Sequence, residues 1–154
     1  MVACRLSQGA GRPQGRDAAD AAVHICYGYG IKANTDWKQT LGSEWRQYEK
    51  FFPAIANSTI GQVAIECRNS KVPLEILALL KGKKIQAGVI DVASDTVETA
   101  EDVVAVIEAV SKFVAKSDIL PTTNCGMAPM RRDIAEAKLM ALGAGAALAR
   151  EKLG

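Results

Sequence analysis

Ala22-Val23-His24-Ile25-Cys26-Tyr27, closed by Gly28, is the stretch on which the fold turns. A short apolar run stopped by glycine reads as a buried strand with a turn behind it. The pattern returns as Gln62-Val63-Ala64-Ile65-Glu66-Cys67, as the β-branched run from Ile85 to Val92, and as Asp118 to Cys125 before Gly126. Helical patterns fill the intervals. Trp37, Leu41, Trp45, Tyr48 and Phe52 recur at spacings of four, four, three and four, which predicts a helix capped by Asp36. Pro73 to Leu80 reads as a short helix with proline in its first turn. After a loop from Ser94 to Glu98, Thr99 begins a helix with Asp102 in its first turn and a stripe of Val103, Val106, Ile107, Val110 and Val114. The last helix, from about Arg131 to Lys152, is Ala-rich and is expected to place Ile134, Leu139, Leu142 and Ala146 on one side.

Strands alternating with helices predict parallel βαβ units with right-handed crossovers. Four such units fit residues 21–154, which read as one partial barrel domain. That is half of a (β/α)8 barrel, whose full form needs roughly 250 residues. Periodicity alone equally allows a small open, doubly wound sheet. A half-barrel leaves two strand edges unpaired. Its inward face is expected to be apolar, judged from Val23, Ile25, Val63, Ile65 and Val89, and to lack an opposing layer. Self-association, or pairing with a complementary half-barrel chain, is the expected consequence.

With 49% hydrophobic and 23% charged residues, the composition is that of a soluble globular protein. A net charge of +2 gives no field that would draw nucleic acid or an anionic membrane, so neither is an expected partner. No apolar stretch approaches the roughly 18 residues of a membrane span. Residues 1–16 contain no hydrophobic export core, and Gly9, Gly11, Pro13 and Gly15 oppose a helical transit peptide. Residues 1–20 are expected to be a disordered or non-native segment. Cys4, Cys26, Cys67 and Cys125 are widely and irregularly spaced, so reduced thiols in a cytoplasmic protein are expected.

Reactive side chains fall at the C-terminal ends of the strand patterns: His24 and Cys26, then Glu66, then Cys125. Alternate residues of a strand share a face, so His24 and Cys26 can grip one ion. Zinc accepts thiolate, imidazole and carboxylate ligands, usually four of them. Each residue also has a plainer reading. A lone histidine beside an apolar run is often structural, and cysteine is commonly a small buried hydrophobe. Glu66 follows Val63-Ala64-Ile65 and cannot be buried unpaired without large cost, though Arg68 offers it a partner. Cys67, next to Glu66, should face the opposite way into core. Tyr27 and Tyr29 fit either core or rim. Gly28-Tyr29-Gly30 lacks the third glycine of a nucleotide fingerprint.

Val23-His-Ile-Cys-Tyr27, Ala64-Ile-Glu-Cys-Arg-Asn-Ser70, Gly88-Val-Ile-Asp-Val-Ala-Ser94 and Asn124-Cys-Gly126 stand in one order along the chain. In that order they resemble the zinc-binding C-terminal half of the cobalamin-independent methionine synthases, and especially their short, single-barrel members. The resemblance covers about Ala21 to the C-terminus. It implies that His24, Cys26, Glu66 and Cys125 are four zinc ligands. It also implies a homocysteine S-methyltransferase of methionine biosynthesis, with the substrate thiolate attacking 5-methyltetrahydrofolate or a related donor. Two departures qualify it. Ala93 stands where the long members carry a proton-donating histidine, and most contacts to homocysteine and folate belong to the half-barrel this chain lacks. The resemblance therefore also allows a catalytically inactive zinc-binding half-barrel, half of a split enzyme, or a thiol methyltransferase with another donor.

Overall fold

The computed structural model describes residues 21–154, so the expectations for residues 1–20, including Cys4, lie outside it. The chain runs β1 (Ala22–Ile25), α1 (Lys32–Gln39), a 3-10 turn (Gln47–Lys50), α2 (Phe52–Ala56), β2 (Gln62–Glu66) and a longer 3-10 segment (Leu74–Leu80). It continues through β3 (Lys84–Ile90), α3 (Ala100–Ser111), a 3-10 turn (Lys116–Asp118), β4 (Ile119–Thr123) and α4 (Arg132–Leu153). The strands form one sheet in the order β1-β2-β3-β4, every pair parallel. A doubly wound sheet reverses its strand order at a switch point and carries helices on both faces. Sequential order without reversal is instead the arrangement of consecutive strands in a barrel wall.

Local chemistry explains the regular elements. Thr99 Oγ1 accepts from the Asp102 backbone N–H, and Asp102 Oδ2 accepts from the Thr99 N–H, a reciprocal cap that starts α3. Behind it Val103, Val104, Ile107 and Val110 are buried. α4 lies against α3 so closely that a Cβ on Gly145 would stand 2.3 Å from Val103 Cβ. The buried positions of α4 are Lys138, Gly145 and Ala149, with Ile134 and Leu142 half-buried. Leu139, expected inside, is 52% exposed, because the next residue along a helix turns about 100° away from the buried Lys138.

The aromatic stretch departs further from its periodicity. Residues 37–52 do not form one helix. α1 begins earlier, at Lys32, with Ile31 rather than Asp36 at its N-cap, and Asp36 pairs with Lys32 at 2.6 Å. Gly42, at φ +78°, turns the chain out of the helix. Trp45, Tyr48 and Phe52 are nonetheless buried, gathered with Tyr27 into a stack of rings 4.6–5.5 Å apart. The spacing reported burial here, not helix.

The two faces of the sheet differ. Val63, Ile65, Ile85, Ala87, Val89 and Ile119 belong to the hydrophobic core, with Val23 and Ile25 packed against it. These side chains share the face covered by the helices, so the expectation that Val23, Ile25, Val63, Ile65 and Val89 line an apolar inward face does not hold. Alternation puts Ala22, His24, Gln62, Ala64, Lys84, Gln86 and Leu120 on the other face. There Gln86 Nε2 donates to Gln62 Oε1 at 2.8 Å, and His24, Lys84 and Leu120 are exposed. No described element covers that face.

Candidate metal centre

His24 lies near the C-terminal end of β1, and Cys26 follows two residues later on the same side. Cys125 comes two residues after β4 ends. β1 and β4 are the two outer strands of the sheet, and in a flat sheet they would lie about 14 Å apart. Here Cys26 Sγ and Cys125 Sγ are 3.7 Å apart. One potential ligand atom from each of His24, Cys26 and Cys125 lies within 4.8 Å of the others. The C-terminal ends of the outer strands therefore converge above β2 and β3, as they do in a rolled wall.

The donor set suits zinc. Two thiolates at Zn–S distances near 2.3 Å in a tetrahedron stand about 3.8 Å apart, close to the separation between these sulfurs. Cys26, Cys67 and Cys125 are free of disulfides. Cys67 packs against the core and directs its Sγ toward the Ile65 carbonyl at 3.6 Å, away from the cluster. Burial pushes the Cys67 thiol up to about 12, as befits an inert position.

Glu66 is 1% exposed and stands outside the three-residue cluster. Its partner is not Arg68, whose guanidinium reaches Asp102 at 3.1 Å. Three donors hold it instead: the Tyr27 N–H at 2.8 Å, the Tyr29 hydroxyl at 2.5 Å and the Tyr48 hydroxyl at 3.2 Å. The Glu66 charge is felt across the site. Although His24 presents one side to solvent, the protein packed against its other side desolvates it and lowers its pKa, and Glu66 opposes the shift. Burial pushes the Cys26 thiol up to about 11; Cys125 and Glu66 add to the shift, and a backbone hydrogen bond with Gly28 opposes it. Burial first, then Glu66, raises Tyr29 and Tyr48, which stay protonated donors.

Asn124, quoted above only as part of the Asn124-Cys-Gly126 motif, is a neighbour of the cluster whose bonding the sequence did not reveal. It is 1% exposed, and its Oδ1 accepts from the Cys67 and Arg68 N–H groups at 3.2 and 3.3 Å. Its Nδ2 donates to the Arg68 carbonyl at 2.7 Å, and its own N–H donates to the Ile90 carbonyl at 2.9 Å. Asn124 thus ties the chain after Glu66 to the chain before Cys125, passing over β3. Gly88 makes the crossing possible, since a Cβ there would stand 2.4 Å from Asn124 Oδ1. A register shift between Gly88 and Ile90 re-aims this end of the β3–β4 pair. The one available signal was a polar residue directly before Cys125. Ala93, exposed after β3, donates its N–H to Asp91 Oδ1 at 2.8 Å and brings no side-chain proton to the site.

Sequentially ordered parallel strands with potential ligands gathered at their C-terminal ends define part of a TIM barrel, in the place where barrel enzymes keep their chemistry. Residues 16–147 match the family described as cobalamin-independent synthase, catalytic domain, and the chain belongs to that family. It is similar to a B12-independent methionine synthase from Shewanella sp. W3-18-1, solved in complex with selenomethionine. The TM-score is 0.81 and the identity 56%, covering 86% of this chain and 39% of that one. It is 28% identical over 138 residues to a methionine synthase of Saccharolobus islandicus, covering 88% of this chain and 36% of the relative. A methionine synthase of Pyrococcus horikoshii is 30% identical over 95 residues, covering 61% of this chain and 28% of the relative. The chain thus spans about a third of the length of the curated relatives it matches. Among the described residues no helix is long and apolar enough to cross a membrane.

Proposed function

We propose that this chain carries the zinc-binding part of a homocysteine S-methyltransferase of the cobalamin-independent methionine synthase type, acting in the cytoplasm. His24, Cys26 and Cys125 hold the zinc, and Glu66 is the fourth ligand. The observation that carries the reading is the meeting of the Cys26 and Cys125 sulfurs at 3.7 Å, with the His24 imidazole beside them, over the converging strand ends. Zinc acidifies a thiol bound to it, so that a nucleophilic thiolate exists at neutral pH. The chain's own contribution is placement. β1 and β4 bring the two cysteines together, Asn124 ties the end of β4 to the chain that leaves β2, and Glu66 supplies a carboxylate held by three donors.

Two observations favour a narrower second reading, in which this chain binds zinc but transfers no methyl group alone. Ala93 cannot protonate a leaving pterin nitrogen, so the donor is either folate protonated by another group or a different methyl donor. The sheet face carrying His24, Lys84 and Gln86, which no described element covers, is the surface that a complementary half-barrel or a second copy would cover. The test pairs metal analysis with catalysis. Purified chain is expected to hold about one zinc. Cys26→Ser and Cys125→Ser should each lose it, and Cys67→Ser should keep it. Unchanged zinc in both ligand variants overturns the site. Methionine formed from homocysteine and 5-methyltetrahydrofolate by the chain alone overturns the second reading and leaves the first.

A further inference from the structure

The two oxygens of Glu66 are not equivalent. Oε1 accepts from the Tyr27 N–H at 2.8 Å and from the Tyr48 hydroxyl at 3.2 Å, which occupies both of its lone pairs. Among the described residues Oε2 accepts a single hydrogen bond, from the Tyr29 hydroxyl at 2.5 Å, which leaves one lone pair. A carboxylate fixed in this way can give a cation only Oε2, from one side. Tyr29 is itself braced. Lys38 Nζ donates to the Gly28 carbonyl at 2.7 Å and lies 4.8 Å from the centre of the Tyr29 ring. Tyr48 is set in the aromatic stack with Tyr27 and Phe52, so the anchor on Oε1 is equally firm.

We propose that Tyr29 is a positioning residue of the metal centre: its hydroxyl orients Glu66 so that the remaining lone pair of Oε2 is presented to a divalent cation held by His24, Cys26 and Cys125. The inference rests on the preceding reading of Glu66 as a ligand. Hydrogen bonds from outside the ligand shell commonly set ligand direction, and losing one costs roughly 10–100-fold in metal affinity. Tyr29→Phe removes one oxygen atom and leaves the ring under Lys38.

The experiment compares Tyr29→Phe, Tyr48→Phe, Lys38→Met and Glu66→Gln in the full chain. It reads zinc affinity by competition with a chromophoric chelator, and the absorption of the cobalt(II)-loaded protein. Tyr29→Phe should weaken zinc roughly 10–100-fold. Its cobalt ligand-field bands should move toward those of Glu66→Gln, while the thiolate-to-cobalt charge-transfer bands stay in place. Tyr48→Phe and Lys38→Met should act in the same direction but less, since Oε1 keeps the Tyr27 N–H and the Tyr29 hydroxyl survives. In the metal-free protein Tyr29→Phe and Tyr48→Phe should lower the urea midpoint alike, since each takes one donor from the buried carboxylate, so a zinc loss larger in Tyr29→Phe separates orientation from folding. If Glu66→Gln weakens zinc and Tyr29→Phe changes neither affinity nor spectrum, the role given to Tyr29 is wrong and the ligand reading survives. If Glu66→Gln itself leaves both unchanged, the ligand reading fails, and the role of Tyr29 fails with it.

Discussion

The two faces of this sheet divide the work of the protein. The helix-covered face holds side chains such as Val63, Ala87 and Val89 at 0% exposure, packed into the core with residues of the covering helices. The opposite face holds His24, Gln62, Lys84 and Gln86 and has no layer upon it among the described residues. One face contains the core; the other leads up to the candidate ligands His24, Cys26 and Cys125. Folding and chemistry are therefore separable in this chain, and substitutions on the two faces should fail in different ways.

The largest effect is expected beneath the helices. Phe52→Ala removes a fully buried ring and should cost about 3–5 kcal/mol by urea unfolding. Lys138→Ala should follow closely. The Lys138 side chain is 0% exposed and pairs at 2.9 Å with Glu98, 4% exposed, whose other oxygen accepts from the Asp91 N–H. Leaving Glu98 buried without its cation should cost about 3–5 kcal/mol. A Lys138→Ala protein as stable as wild type would mean that water reaches Glu98. On the open face, Leu120→Ser should change stability by no more than about 0.5 kcal/mol, because Leu120 is already 38% exposed. A loss comparable to that of Phe52→Ala would show that the open face is packed in solution, and sedimentation at several concentrations would then reveal association that this variant weakens.

Where the faces meet, at the strand ends, the effects should be mixed. Gly88→Ala pushes against Asn124 and should lower both stability, by about 1–3 kcal/mol, and zinc content. Normal zinc in a destabilised Gly88→Ala protein would detach Asn124 from the site. The smallest effect is one of pH. With its thiol held up to about 11, Cys26 is protonated at neutral pH, and a metal must displace that proton. His24, whose pKa desolvation lowers, gives up less of a proton than a free imidazole would. Zinc affinity should thus climb roughly tenfold per pH unit for each proton released between pH 6 and 8. A flat profile from chelator competition would mean that Cys26 is not a ligand.

Much of this division could be read from the sequence, though unevenly. The four strands were legible because fully buried parallel strands leave continuous apolar runs, and α3 because Thr99 and Asp102 cap it in the ordinary way. His24, Cys26 and Cys125 were legible as strand-end residues of suitable chemistry. The sequence could not say which side of the sheet the apolar residues would take, since a run such as Val63-Ala64-Ile65 lacks the polar alternation that marks a face. Nor could it separate a helix from an aromatic cluster over residues 37–52, because both repeat every three or four positions. The donors to Glu66 were hidden for a different reason. Tyr29 and Tyr48 come from irregular segments, and only the folded chain brings them to one carboxylate.

The 3.7 Å approach of Cys26 and Cys125 also bears on the unfolded chain. These residues are 99 positions apart and stand on the two rims of the sheet, so an ion gripping both acts as a clasp around most of the described chain. A covalent link closing a loop of about 100 residues removes up to about 4.7 kcal/mol of disorder from the unfolded ensemble in the chain-entropy account. A reversible clasp withholds the same freedom for as long as it stays shut. Saturating zinc should therefore slow hydrogen exchange at β1 and β4 together, two strands that share no hydrogen bond, and Cys125→Ser should uncouple them.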